Sequence, residues 1–149
     1  MKTFLFTMNP KKWYWEDIDQ TIALIKQTGH ESMSWSVASH KKVQPRDRAF
    51  LMRLGVEPKG IMGAGFVSSM PFLAPHWSGE NKLRYKVMID LEVLLNSEKE
   101  ALLSLDLLNQ GSLENYNWTP RSSGIEISNR YLNELEALWT DFLMTKDTR

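Results

Sequence analysis

The sequence predicts an α+β domain: a small curled sheet or barrel of about five or six mostly antiparallel strands with flanking helices. Three observations carry this. Short apolar or alternating runs recur at close spacing, and turn residues rather than helices separate most of them. Two stretches, 16–28 and 129–144, instead repeat apolar residues at helical spacing. The 149 residues, 42% hydrophobic and 24% charged, suit one core, so 1–149 is expected to be a single domain. A doubly wound parallel sheet does not fit, because parallel strands need crossover connections that most of these runs lack.

Residues 2–8 are rich in Phe, Leu and Thr and read as a first strand, ended by Asn9-Pro10. An aromatic loop, Trp13-Tyr14-Trp15, leads into a helix over 16–28 with Ile18, Ile22 and Ile25 on one face and Gly29 as its stop. Strands are expected at 33–37, 49–54 and 61–69, with a turn at 43–48 and a hairpin connection at 55–60. Gly60, Gly63 and Gly65 predict a bulge or a close backbone approach in the fourth strand. They do not make a phosphate-binding loop, since no Lys-Ser/Thr pair or helix follows them. Residues 71–81 read as a long irregular loop. Residues 84–95 alternate through Tyr85, Val87, Ile89, Leu91 and Val93 and read as a strand. A helical turn is expected at 102–108, a loop at 111–121 and a last strand at 123–127. Ser128 is placed to cap a final helix whose apolar stripe is Leu132, Leu135, Leu138, Trp139 and Phe142.

Composition removes several kinds of chemistry. Cysteine is absent, which excludes disulfides, thiolate-ligated zinc and a cysteine nucleophile, and fits a cytoplasmic location. No apolar run is long enough to span a membrane. His30, His40 and His76 lie far apart and show no metal-ligand spacing, so no metal or other cofactor is expected. No Gly-x-Ser-x-Gly elbow surrounds Ser68-Ser69 or Ser122-Ser123, and no carboxylate pair is set up for acid–base work. No catalytic residue is therefore assigned, and a binding module is expected rather than an enzyme.

What remains is aromatic and basic. Met33-Ser34-Trp35-Ser36 runs toward Lys41, Lys42, Arg46 and Arg48, and between His40 and Gly60 six Lys/Arg face two acids. A flat apolar ring, free polar groups and nearby cations suit a nucleobase on a phosphate backbone. Net charge is zero, so any polyanion site must be local. Six tryptophans are present; Trp139 sits on the last helix's apolar stripe, and Trp13, Trp15, Trp35, Trp77 and Trp118 fall in loops or at strand ends. About half are expected to be core, and the rest could cage a flat ligand.

An ordered set of motifs carries a resemblance. They are Met8-Asn9-Pro10-Lys11-Lys12-Trp13, Trp35-Ser36, the run 43–55, Glu57-Pro58-Lys59-Gly60-Ile61, Pro75-His76-Trp77 and the run 118–125. Together they resemble an EVE domain of the PUA-like superfamily, most closely the EVE-like domains that precede HNH nuclease domains in modification-dependent restriction enzymes. The resemblance covers nearly the whole chain. It implies a PUA-like pseudo-barrel with a pocket for a base flipped from nucleic acid. Relatives bind modified cytosines such as 5-methylcytosine in DNA, and the related YTH domains hold N6-methyladenine in RNA with tryptophans. It further implies that Trp35 and Ser36 form one pocket wall, that Trp77 faces them, and that Asn9, Trp13, Ser122 and Ser123 line the mouth. Lys41, Lys42, Arg46, Arg48 and Arg121 would hold phosphates. The loop Val37-Ala38-Ser39-His40 departs from the Gly-Asn that often follows Trp-Ser in relatives, which leans toward a larger or more polar modification than methyl.

The expected function is thus a reader of a modified base, with DNA favoured over RNA and base flipping as the means. No HNH signature occurs in the 149 residues, so cleavage would need a separate nuclease or effector as partner. The alternatives are an RNA-binding PUA-like protein acting on modified RNA and a small-molecule-binding domain.

Overall fold

A computed structural model describes residues 1–75 and 82–147. It has an α+β fold in which one mixed sheet carries three α-helices. The strands are β1 (Thr3–Met8), β2 (Glu31–Ser36), β3 (Arg48–Arg53), β4 (Gly60–Val67), β5 (Phe72–Pro75), β6 (Leu83–Leu94), β7 (Leu103–Ser104) and β8 (Ile125–Ile127). The helices are α1 (Ile18–Thr28), α2 (Leu105–Leu108) and α3 (Leu132–Asp147). The sheet order is β2-β6-β4-β3-β1-β8, with β5 added beside β6 and β7 beside β4. Only β1 and β3 pair in parallel; the remaining pairs are antiparallel.

The six strands expected from the sequence each have a counterpart, but the sheet holds eight strands among the described residues and stays open rather than closing into a barrel. The two additions hide behind strong local signals. Phe72–Pro75 is bounded by prolines and pairs only with β6. Leu103–Ser104 is a two-residue strand against Gly60 and Ile61, inside a stretch that reads as helical. Ser128 is a further correction. Its side chain makes no capping bond; its carbonyl instead accepts from Tyr131 N–H in a 3₁₀ turn (Asn129–Tyr131) ahead of α3.

The sheet curls because its middle is bulged. The β3–β4 register slips between Leu51 and Met52, and the β4–β6 register slips between Ala64 and Gly65. An extra residue on one strand bends and twists the ladder there. The β4 glycines permit this crowding: a Cβ on Gly65 would strike the Asp90 carbonyl oxygen, and one on Gly63 would sit 2.8 Å from that of Val93. Past the slip, burial on β6 moves from Val87, Ile89 and Leu91 to Leu94, which the simple alternation through Val93 does not foresee.

Both faces of the central strands are covered. Phe4, Leu5 and Phe6 on β1 are all fully buried. On one face Trp139 of α3 meets Phe50 edge-on at 5.9 Å. At the far end of α1, Asp19 accepts hydrogen bonds from Asn96 and Lys99, which hold its carboxyl below the usual range and tie the helix to the chain leaving β6. Trp118, expected in an open loop, is core: its indole N–H donates to the Leu113 carbonyl at 2.8 Å.

Candidate nucleic-acid interface

The open side of the sheet lies between its two edge strands. β2 and β8 do not pair with each other. The loops beside them are stitched instead: Ala38 N–H donates to Ser123 O at 2.8 Å and Ser39 N–H to Gly124 O at 3.0 Å. Gly124 makes this approach possible. It has φ +76, and a Cβ there would stand 2.6 Å from Val37 Cα. The Ser123 hydroxyl accepts from Thr7 N–H at 2.9 Å, so the same turn also holds the end of β1.

A cleft of about 1270 Å³ fills this seam. Its walls include Asn9, Lys12, Trp13, Trp35, Ser36, His40, Arg84, Tyr85, Lys86, Arg121, Ser122 and Ser123. The local chemistry explains how the walls are held. Trp35 Nε1 donates to Thr7 O at 2.8 Å, which bridges the seam and fixes the indole plane. Trp13 stands edge-to-face against Trp35, with centroids 5.8 Å apart and planes at 88°. Trp15 lies behind both, 5.2 and 5.6 Å away, and is buried with no acceptor for its N–H among the described residues. The three indoles therefore form a rigid corner rather than a slot. A flat ligand can stack on one ring and meet the edge of another, but nothing fits between Trp13 and Trp35.

Polar groups reach the cleft from two sources. Val37 N–H donates to Tyr85 O, so in the β2–β6 ladder the odd-numbered β2 residues exchange bonds with β6. The backbone groups of Ser34 and Ser36 consequently point away from β6, to the free edge. The Ser36 hydroxyl is enclosed and has no hydrogen-bond partner among the described residues. Asn9 is used structurally: its carbonyl takes Lys12 and Trp13 N–H, and its side-chain oxygen takes Lys11 N–H.

The structure divides the expected site residues. Asn9, Trp13, Trp35, Ser36, Ser122, Ser123 and Arg121 come together around the cleft. Trp77 lies outside the described residues. Lys41, Lys42, Arg46 and Arg48 do not line it. Arg46 and Arg48 stand beside Thr3, at the opposite end of β1 from Thr7, Met8 and Asn9. Five residues of strand separate those ends by roughly 17 Å. Arg48 is also fully engaged. Its guanidinium lies against Phe50 and Phe66, at 4.8 and 4.9 Å, forks onto Glu136 and reaches Gly65 O. Its guanidinium is therefore already bonded to groups of the fold. Lys42 is 3.8 Å from Glu126.

Other cations stand at the cleft. Lys12, Arg84, Lys86 and Arg121 line the cleft, and none forms an ion pair with another described residue. Three of these were missed in the sequence because they are dispersed. Arg84 and Lys86 occupy the positions between the apolar residues of β6, so the alternation itself sets them on the other face of the strand. Tyr85, part of the alternation that predicts this strand, stacks on His40 at 3.8 Å with planes 9° apart and remains partly exposed at the cleft.

No family model matches the chain. No curated protein matches it either. Solved structures do match along almost its full length, at identities that speak for the fold alone. Human THYN1 in complex with 5-methylcytosine-containing DNA is 14% identical, with TM-score 0.62, covering 93% of this chain and 97% of that one. Protein PSPTO5229 from Pseudomonas syringae is 16% identical, with TM-score 0.62, covering 91% and 98%. The YTH domain-containing protein mmi1, in complex with RNA, is 19% identical, with TM-score 0.53, covering 99% and 88%. The chain thus shares the fold of these proteins over almost its whole length. These matches do not point to the subtype that precedes HNH nucleases.

Proposed function

We propose that the chain is a nucleic-acid-binding module that reads a modified base, held in the seam cleft after leaving its stack. One observation carries this: an indole corner, a hydroxyl and four cations that have no hydrogen-bond or ion-pair partner, respectively, among the described residues converge on a single cleft. Its volume of about 1270 Å³ exceeds the roughly 300–1,000 Å³ of small-molecule sites, so it has room for a base still attached to its strand. That favours nucleic acid over the free metabolite. Stacking on Trp35 or Trp13 supplies affinity without choice, because every base has a π-face. Choice comes from Ser36, Ser122, Ser123 and the free edge of β2, whose polar groups must be met when a base displaces water. Lys12, Arg84, Lys86 and Arg121 hold the phosphates.

DNA with a modified cytosine is favoured over RNA. The likeness to a DNA-bound protein (TM-score 0.62) is stronger than that to the RNA-bound YTH domain (0.53), which supports this order. No catalytic step is assigned to the chain; cleavage would fall to a partner nuclease or effector. The test is a binding panel of matched DNA and RNA strands carrying cytosine, 5-methylcytosine, 5-hydroxymethylcytosine, its glucosylated form or N6-methyladenine at one position. A preference for one modified base, with affinity falling steeply as salt rises, is the expected result. Equal affinity across the panel overturns it and leaves a general binder. Salt-independent binding of a free nucleoside points to the small-molecule alternative.

A further inference from the structure

β6 carries an apolar stripe that outruns the core it belongs to. Val87, Ile89 and Leu91 are buried, but the same alternation continues through Tyr85 to Leu83, which are 38% and 60% exposed. β5 extends that face rather than hiding it: Leu73 pairs with Tyr85 and Pro75 with Leu83, and Leu73 is 53% exposed. A strand leaving its core normally turns polar on that face, so an uncovered apolar stripe needs a partner. The opposite face of the same two strands holds Arg84 and Lys86, both at the cleft. The two strands thus offer Leu73, Pro75 and Leu83 on one side and, on the other, cations without an ion pair among the described residues; at their base Tyr85, stacked on His40, joins the cleft wall.

The geometry points to a wedge for the base stack: the face formed by Leu73, Pro75 and Leu83 enters a duplex beside the base held in the cleft, while Arg84 and Lys86 hold the flanking phosphates. This rests on the base-reading function proposed above. Nucleic acid is the partner that combines flat apolar surfaces with regular negative charge, which matches both faces at once. The spacing fits as well. Leu73 and Pro75 stand about 7 Å apart along the strand, or about two base steps at 3.4 Å each. Leucine and proline are among the side chains that unstack base steps in known wedges. A second copy of the chain is disfavoured as occupant, because Pro75 blocks hydrogen-bonded strand addition on the β5 edge.

The experiment uses the full chain and its Leu73→Ser, Leu83→Ser double variant. Both substitutions are at exposed positions, so the melting temperature should stay at the wild-type value. Each protein is titrated into a duplex with one modified cytosine and 2-aminopurine as its neighbour, and into the corresponding single strand. The wild type should raise 2-aminopurine fluorescence as the stack opens. The double variant should lose that rise and bind the duplex about tenfold more weakly, yet bind the single strand as the wild type does, since no stack has to open. Unchanged duplex affinity and fluorescence in the variant overturn the wedge while leaving the base-reading function intact. A wild type that does not distinguish the modified single strand from the plain one brings down both. A wild-type dimer in light scattering that the double substitution makes monomeric assigns the face to self-association and overturns the wedge.

Discussion

Trp35 and Trp118 each donate the indole N–H to a backbone carbonyl at 2.8 Å, Thr7 for one and Leu113 for the other. Both read as loop or strand-end aromatics in the sequence. Their surroundings differ. Trp118 is 2% exposed and packs edge-on against Tyr116, whose own hydroxyl is pushed up to about 12 chiefly by burial. Trp35 is half-buried, belongs to an edge strand and presents part of its ring to a cleft with free cations. A fixed indole is thus either a sealed plug or a platform, and the difference lies in what surrounds the second face. The hydrogen bond is common to both and decides nothing.

The largest effect should come from breaking the plug. Trp118→Ala should cost about 3–5 kcal/mol of stability, the range for emptying a buried large aromatic site. Chemical denaturation followed by a probe other than tryptophan emission measures it. Trp35→Ala should cost less stability than Trp118→Ala, and the folded variant should bind modified nucleic acid about 1–3 kcal/mol more weakly, the value of one stacking contact. Equal stability losses for the two, with no binding defect in folded Trp35→Ala, would erase the distinction.

The same contrast separates two arginines. Arg48→Ala should cost about 1–3 kcal/mol of stability, because it leaves Glu136 unpaired and removes contacts to two phenylalanine rings. It should leave the salt dependence of binding unchanged. Arg84→Ala should do the reverse: little change in stability, and a slope of log affinity against log salt that falls by about one. Lys12, Lys86 and Arg121 should follow Arg84, and Lys41 and Arg46 should follow neither. Titrations at four salt concentrations, alongside melting curves, give both quantities for each variant.

These pairs also mark where the sequence could be read and where it could not. Periodicity places α1, α3 and six strands, because burying one stripe or one face is a local constraint on spacing. It places Trp13, Trp35 and Ser36 near one another through the resemblance, since they lie on β1–α1 and β2, whose ends meet across the seam. It does not show which cations converge on the cleft. A run of charges such as 41–48 is conspicuous along the chain, yet what binds a polyanion is charge that converges in space and lacks acidic partners. Arg84 and Lys86 come from one strand, Lys12 and Arg121 from two distant loops, and only the curl of the sheet brings them together. The carboxylate that holds Arg48, Glu136, is 88 residues away, so no local pattern names it.

The smallest effect belongs to Ser36, and its sign is the informative part. Its hydroxyl is enclosed and unpartnered among the described residues. An enclosed hydroxyl without a hydrogen bond costs the folded chain about 1–3 kcal/mol relative to one that is satisfied. Ser36→Ala removes that burden, along with a few contacts, so stability should hold or rise by up to about 1 kcal/mol. Binding should move the other way. If a base edge completes the missing bond, the alanine variant loses about 1 kcal/mol of affinity for the preferred base. Its loss for a plain base that makes no such bond should be nil. The selectivity ratio should therefore shrink about fivefold while the melting temperature does not fall. A serine that only packs the edge strand predicts otherwise: affinities for modified and plain bases fall together or not at all. Melting curves and the two titrations distinguish these outcomes. A stabilised protein with weakened discrimination would make Ser36 a residue kept for its ligand rather than for the fold.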